Sequence, residues 1–112
     1  MSQTYERLTS ISELDGVLAG DQKVVLFKHS LTCPVSSAAF REYEKYLAEA
    51  GEGGVKFTLI EVQNARDVSN EIAARLGVKH ESPQALVVEA GSVSWHASHW
   101  SITKDSLNQA IQ

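Results

Sequence analysis

The chain has 112 residues, 43% of them apolar, with 10 Lys and Arg against 14 Asp and Glu, a formal net charge of −4 and a single cysteine. Domains usually run about 100–150 residues, so this length allows one domain, and the acidic balance argues against nucleic acid as the main partner, because phosphate neutralisation needs a basic face. One sulfur excludes an internal disulfide, a CxxC dithiol pair and a Cys-only zinc site, so any sulfur chemistry must be monothiol or intermolecular.

The run Met1 to Arg7 lacks the charged-then-apolar plan of a signal peptide, and no apolar stretch nears the ~20 residues of a membrane span. We therefore expect a cytoplasmic protein with no membrane partner, which suits an unpaired cysteine. No repeat, low-complexity segment or linker interrupts the sequence, so residues 1–112 read as one domain. Ser10 or Ser12 caps a short helix through Leu18, with Ile11, Leu14, Val17 and Leu18 on one face and Gly20 beyond its end. Val24 to Phe27 is a continuous apolar run, as in a strand buried on both faces. Lys28 to Pro34 follows and reads as a loop by composition.

From Val35 to Ala50 the apolar positions Val35, Ala39, Tyr43, Tyr46, Leu47 and Ala50 fall at helical spacing, with Arg41, Glu42, Glu44, Lys45 and Glu49 opposite. Gly51 to Gly54 reads as a helix exit and turn. Val55 to Val62, rich in β-branched and aromatic residues, is a second strand, completing a βαβ unit. Arg66 to Leu76 gives a helix with Val68, Ile72 and Leu76 on one face and Gly77 at its end. Ala85 to Val88 and Val93 to Ala97 are strands joined by a hairpin at Ala90 to Ser92. Thr103 caps a last helix in which Leu107, Ala110 and Ile111 face inward. This order predicts an α/β architecture with one mixed sheet of four strands and helices on both faces.

Cys33 stands between a buried strand and an amphipathic helix, which places its sulfur at the helix N-terminus. Free N–H groups and the macrodipole favour an anion there, and the thiolate is the nucleophilic form of cysteine. Pro34 suits the first helical turn, where a missing N–H costs nothing. A buried structural cysteine is the competing reading at this point. Pro83 is one of only two prolines. Ser82-Pro83 opens directly into a strand, where a cis bond would leave the preceding backbone open to a ligand, although trans is the commoner isomer.

With Val24 to Phe27, Thr32-Cys33-Pro34-Val35-Ser36, Leu76-Gly77-Val78, Ser82-Pro83-Gln84 and the hairpin after it, nearly the whole chain resembles a thioredoxin fold. It is more similar still to the monothiol bacilliredoxin family of YtxJ type, through the Thr-Cys-Pro-x-Ser motif, the His-x-Ser-Pro-Gln run at His80 to Gln84 and the Trp-His-Ala-Ser-His-Trp stretch at Trp95 to Trp100. The resemblance implies a thiol-disulfide oxidoreductase that removes bacillithiol from S-bacillithiolated client proteins, with Cys33 as attacking thiolate, Thr32, Pro34 and Ser36 as its motif and Pro83 as the cis-proline beside it. Ser36 stands where dithiol relatives carry a resolving cysteine, so bacillithiol is a co-substrate rather than a bound cofactor. The malate of bacillithiol calls for donors or positive charge, and Lys28, His29, Lys79, His80 and the backbone at Ser82 are the candidates. The segment from Gly77 to Pro83 is one residue longer than is common in thioredoxins, and Lys28 lies further from the nucleophile than the glutathione-binding lysine of glutaredoxins.

The alternative is a non-catalytic thioredoxin-like module that senses redox state or binds a protein, with Cys33 storing an oxidation state. A metal site on His29, His96, His99 and Cys33 is chemically conceivable, but His96 and His99 fall on opposite faces if both lie on one strand, and we expect no metal. Glu42, Glu44 and Glu49 lie on a solvated helix face and form no acid-base pair. The sequence leaves the oligomeric state open.

Overall fold

The computed structural model of the protein describes residues 4–50 and 53–111. Five strands, β1 (Glu6–Arg7), β2 (Lys23–His29), β3 (Val55–Glu61), β4 (Gln84–Glu89) and β5 (Ser92–Ser98), form one sheet in the order β1-β3-β2-β4-β5. β1 and β2 both run parallel to β3, whereas β2–β4 and β4–β5 are antiparallel. Four helices complete the chain: α1 (Ile11–Leu18), α2 (Pro34–Glu49), α3 (Arg66–Leu76) and α4 (Lys104–Ile111).

Alternation along the strands divides the core in two, as a pleated sheet requires. Val25, Phe27, Phe57, Leu59, Ala85 and Val87 pack with Tyr43 and Leu47 of α2 and Leu107 and Ile111 of α4. Val24, Leu26, Ile60, Leu86 and Val88 pack on the other side with Leu14 of α1 and Val68 and Ile72 of α3. The α/β class, the mixed sheet and helices on both faces thus agree with the expectation. The strand count does not, because β1 pairs only Glu6 with Thr58 and Arg7 with Leu59, and two exposed polar residues carry no periodic signal.

Ser10, rather than Ser12, caps α1: its side chain accepts from Glu13 N–H at 3.2 Å, and the Glu13 carboxylate accepts in turn from Thr9 N–H at 2.9 Å. Thr103 and Ser106 exchange bonds at the start of α4, Ser106 N–H to Thr103 Oγ1 at 3.0 Å and Thr103 N–H to Ser106 Oγ at 2.9 Å. Gly77 ends α3 in the left-handed region, at φ +70°, and donates its N–H to Ala73 O. Gly51 and Glu52, part of the expected helix exit, lie outside the described residues.

One boundary is a correction. Lys28 and His29, expected in a loop, are the last two residues of β2 and are buried, at 0% and 8% exposure. Lys28 pairs with Ile60 on one side and Gln84 on the other, and His29 with Glu61. Burial between two neighbouring strands satisfies their backbone groups in the ladder, which outweighs the loop-like polarity of the side chains.

Candidate active site

β2 delivers the chain to its C-terminal end, where Ser30, Leu31 and Thr32 turn it into α2. Cys33 is the N-cap residue of that helix, with extended backbone at φ −104° and ψ 121°, and Pro34 opens the first turn. No side chain caps the helix, and the Cys33 carbonyl accepts the Ser37 N–H at 3.0 Å. The thiol is unpaired and partly exposed. A partner disulfide can therefore reach it, and α2 turns its positive end toward it.

The loop ahead of Cys33 is held by a residue that the sequence did not single out. Gln63, just beyond β3, accepts the Leu31 N–H at 3.0 Å and donates through Nε2 to Ser30 Oγ at 2.9 Å and Thr32 Oγ1 at 3.4 Å. An isolated Gln in a turn gives no signal of such bridging, since its partners lie about 30 positions away. Thr32 itself is exposed, and Leu31 beside it exposes 46% of its surface.

Ser36 is fully buried. Its Oγ accepts the Ser30 N–H at 2.8 Å and lies 2.8 Å from His29 Nδ1. The hydroxyl therefore ties the end of β2 to the first turn of α2. His29 stacks on Phe40, with ring centroids 4.8 Å apart at an interplanar angle of 26°. Burial lowers its pKa below the ordinary histidine value, opposed by the charges of Glu61 and Glu44.

On the opposite side of the sheet, Lys28 is interior rather than solvated. Its Nζ donates to Ser69 O at 3.0 Å and lies 3.2 Å from His80 Nδ1, which Ser69 Oγ also approaches at 3.2 Å. Burial pushes the Lys28 amine down to about 8. His80 is lowered too, by burial first and then by the positive charges of Lys28 and Arg66, against Glu81. Lys79 is exposed, and its carbonyl accepts from Gln84 Nε2 at 3.0 Å. The Ser82-Pro83 bond is cis. The Pro83 carbonyl receives the His99 N–H at 3.1 Å.

His99 lies not on β5 but in a 3₁₀ turn, His99–Ser101, with φ +53°. Trp100 in that turn exposes 72% of its surface, whereas Trp95 packs partly buried against the α2 face of the core. Among the described residues no group of three or more His, Cys, Asp or Glu is placed to hold a metal, and no helix is long and apolar enough to cross a membrane. A partly exposed thiol at a helix N-terminus, with a hydroxyl three residues on, supports exchange only with a sulfur brought from another molecule.

Comparison with known proteins agrees with this geometry. The family model described as monothiol bacilliredoxin BrxC matches residues 6–107. A solved structure whose description assigns a thioredoxin fold and, provisionally, oxidoreductase activity is 36% identical, with a TM-score of 0.86 over 96% of this chain and 94% of that one. Thioredoxin from Trypanosoma brucei brucei superposes at a TM-score of 0.76 with 18% identity, covering 99% of this chain and 90% of that one. Thioredoxin f from spinach chloroplast gives 0.74 with 22% identity over 99% and 93%. The fold is that of thioredoxin, and the likeness at 36% identity is to a chain described as an oxidoreductase with that fold.

Proposed function

The chain belongs to the monothiol bacilliredoxin family, and from that premise we propose that it removes bacillithiol from S-bacillithiolated client proteins by thiol-disulfide exchange at Cys33. The supporting observation is the pairing of a partly exposed Cys33 at the N-cap of α2 with a buried serine hydroxyl, not a second sulfur, at position 36. The Cys33 thiolate attacks the bacillithiol sulfur of the client's mixed disulfide. A Cys33–bacillithiol disulfide forms, the client's S–S bond breaks, and the client cysteine leaves as thiolate. A second bacillithiol thiolate then attacks the adduct, giving bacillithiol disulfide and free Cys33. The net change exchanges one disulfide for another, the client sulfur returning to thiol as free bacillithiol, the co-substrate in the cytoplasm, is oxidised into bacillithiol disulfide.

In this reading Ser82 and Pro83 line the attacked disulfide, and the exposed Lys79 and His80 meet the carboxylates of bacillithiol. Lys28 and His29 serve from beneath, since both are buried. We expect Cys33→Ser to keep the folded structure by circular dichroism and to lose all release of bacillithiol from a modified client, followed by intact mass. Wild-type release by that variant would sink the proposal, and an adduct on wild-type Cys33 that free bacillithiol never clears would favour a sensing module instead.

A further inference from the structure

We infer that Lys28 is a positioning residue for exchange at Cys33: its amine holds the Lys79–Pro83 segment in place from below, and so places Ser82 and Pro83 against the disulfide. The inference rests on the exchange function proposed above.

Lys28 sits near the C-terminal end of β2, the middle strand of the sheet, with 0% exposure, on the face where Val24 and Leu26 are apolar core. An ammonium enclosed in this way is costly unless a counter-charge compensates it. Its partners are the Ser69 carbonyl at 3.0 Å and His80 Nδ1 at 3.2 Å, and burial alone accounts for the lowering of its pKa. Besides Lys28, the charges that act on His80 are Arg66 of α3 and Glu81 of the segment. The Ser69 carbonyl lies inside α3, where a helix N–H already serves it. The amine is therefore not needed to satisfy the core, and an apolar side chain of similar length would suit this face better.

What the amine does reach is the segment. Gln84, directly across the ladder from Lys28 and 1% exposed, donates Nε2 to Lys79 O at 3.0 Å. Lys28 holds the next residue, His80, through its ring. At the far end the Pro83 carbonyl takes the His99 N–H at 3.1 Å. The segment is thus fixed at both ends with Ser82 between, and Ser82 Oγ and Gln84 Oε1 are buried with no hydrogen-bond partner. Both atoms lie at or beneath the residue that precedes Pro83.

The test compares wild type with Lys28→Met by three measurements. These are the second-order rate of exchange with a peptide–bacillithiol mixed disulfide, the rate of Cys33 alkylation by iodoacetamide, and the thermal midpoint. We expect at least a tenfold loss of exchange, alkylation within twofold of wild type, and a thermal midpoint equal to wild type or higher. A merely structural lysine would lower the midpoint and leave exchange per folded molecule unchanged. Exchange within twofold of wild type in folded Lys28→Met, or an equal loss in exchange and alkylation, overturns the inference. If Lys28→Met does not fold, His80→Ala removes the segment's end of the contact at an exposed site. At least tenfold less amide protection at Glu81 and Ser82 then upholds the inference, a readout that the imidazole's own contact with bacillithiol does not move, and protection equal to wild type overturns it. If wild type itself releases no bacillithiol, the proposed function fails by itself. Amide hydrogen exchange at Glu81 and Ser82 then decides about Lys28: at least tenfold less protection in Lys28→Met upholds the hold on the segment, and equal protection overturns it.

Discussion

Ser36 shows how one buried hydroxyl can hold the surroundings of a thiol in place. Its Oγ accepts the Ser30 N–H and bonds His29 Nδ1, both at 2.8 Å, in a fully buried position. Removing one partner of a buried hydrogen bond leaves the other unsatisfied, at about 1–3 kcal/mol. We therefore expect Ser36→Ala to lose about 1–3 kcal/mol of unfolding free energy in urea, while keeping exchange per folded molecule within a few-fold of wild type, because no resolving step runs through Ser36. Loss of activity as complete as in Cys33→Ser would show that the hydroxyl acts on the sulfur directly. The sequence carried the motif around Cys33, since residue types at fixed spacing are visible there. It could not show that Ser36 and His29 bond each other seven positions apart, because a polar residue next to a strand end reads equally well as solvated.

At the scale of elements, the apolar runs and helical spacings were legible to within one or two residues, and the failures share one cause. β1 was missed and Lys28-His29 was read as loop because pairing with a neighbouring strand, not local pattern, decides both. The hairpin shows the opposite case, where the turn residues announced the structure. Ala90 and Gly91 have φ +52° and +81°, the conformation of a two-residue turn whose twist matches its strands. Gly91 adopts it freely, whereas Ala90 is strained by its Cβ. Asn tolerates this conformation without the backbone entropy of Gly. Ala90→Asn is thus expected to raise stability by several tenths to about 1 kcal/mol, seen as a higher urea midpoint with unchanged slope. A lower midpoint would contradict the turn geometry.

For the whole molecule, buried bases couple stability to pH. The Lys28 amine has a pKa of about 8 in the folded protein against 10.5 for an ordinary lysine. Between those values the unfolded chain binds the extra proton, so this residue makes stability rise with pH from about 8 to 10.5. His29 and His80, both lowered mainly by burial, act in the same direction further down, where stability falls as pH drops below 6.5, their unfolded value. Unfolding in urea at pH about 7 and about 9.5 should therefore show wild type gaining on Lys28→Met at the higher pH. A constant difference between them would mean that Lys28 is not a depressed amine. None of this was readable from composition, because a lysine's burial depends on which helix and which segment close over its strand.

The two rims of the sheet also govern how the molecule meets its neighbours. β1 offers only two ladder positions, too few to template an added strand from another chain. β5, at the other rim, carries Ser92, Ser94 and His96 exposed on one side and pairs with β4 through a register shift at Val87 and Val88. Short length at one border and polar, irregular pairing at the other both discourage edge-to-edge stacking. Under the proposed exchange with client cysteines, the chain would thus meet its clients through its sulfur while giving their backbones little to hold.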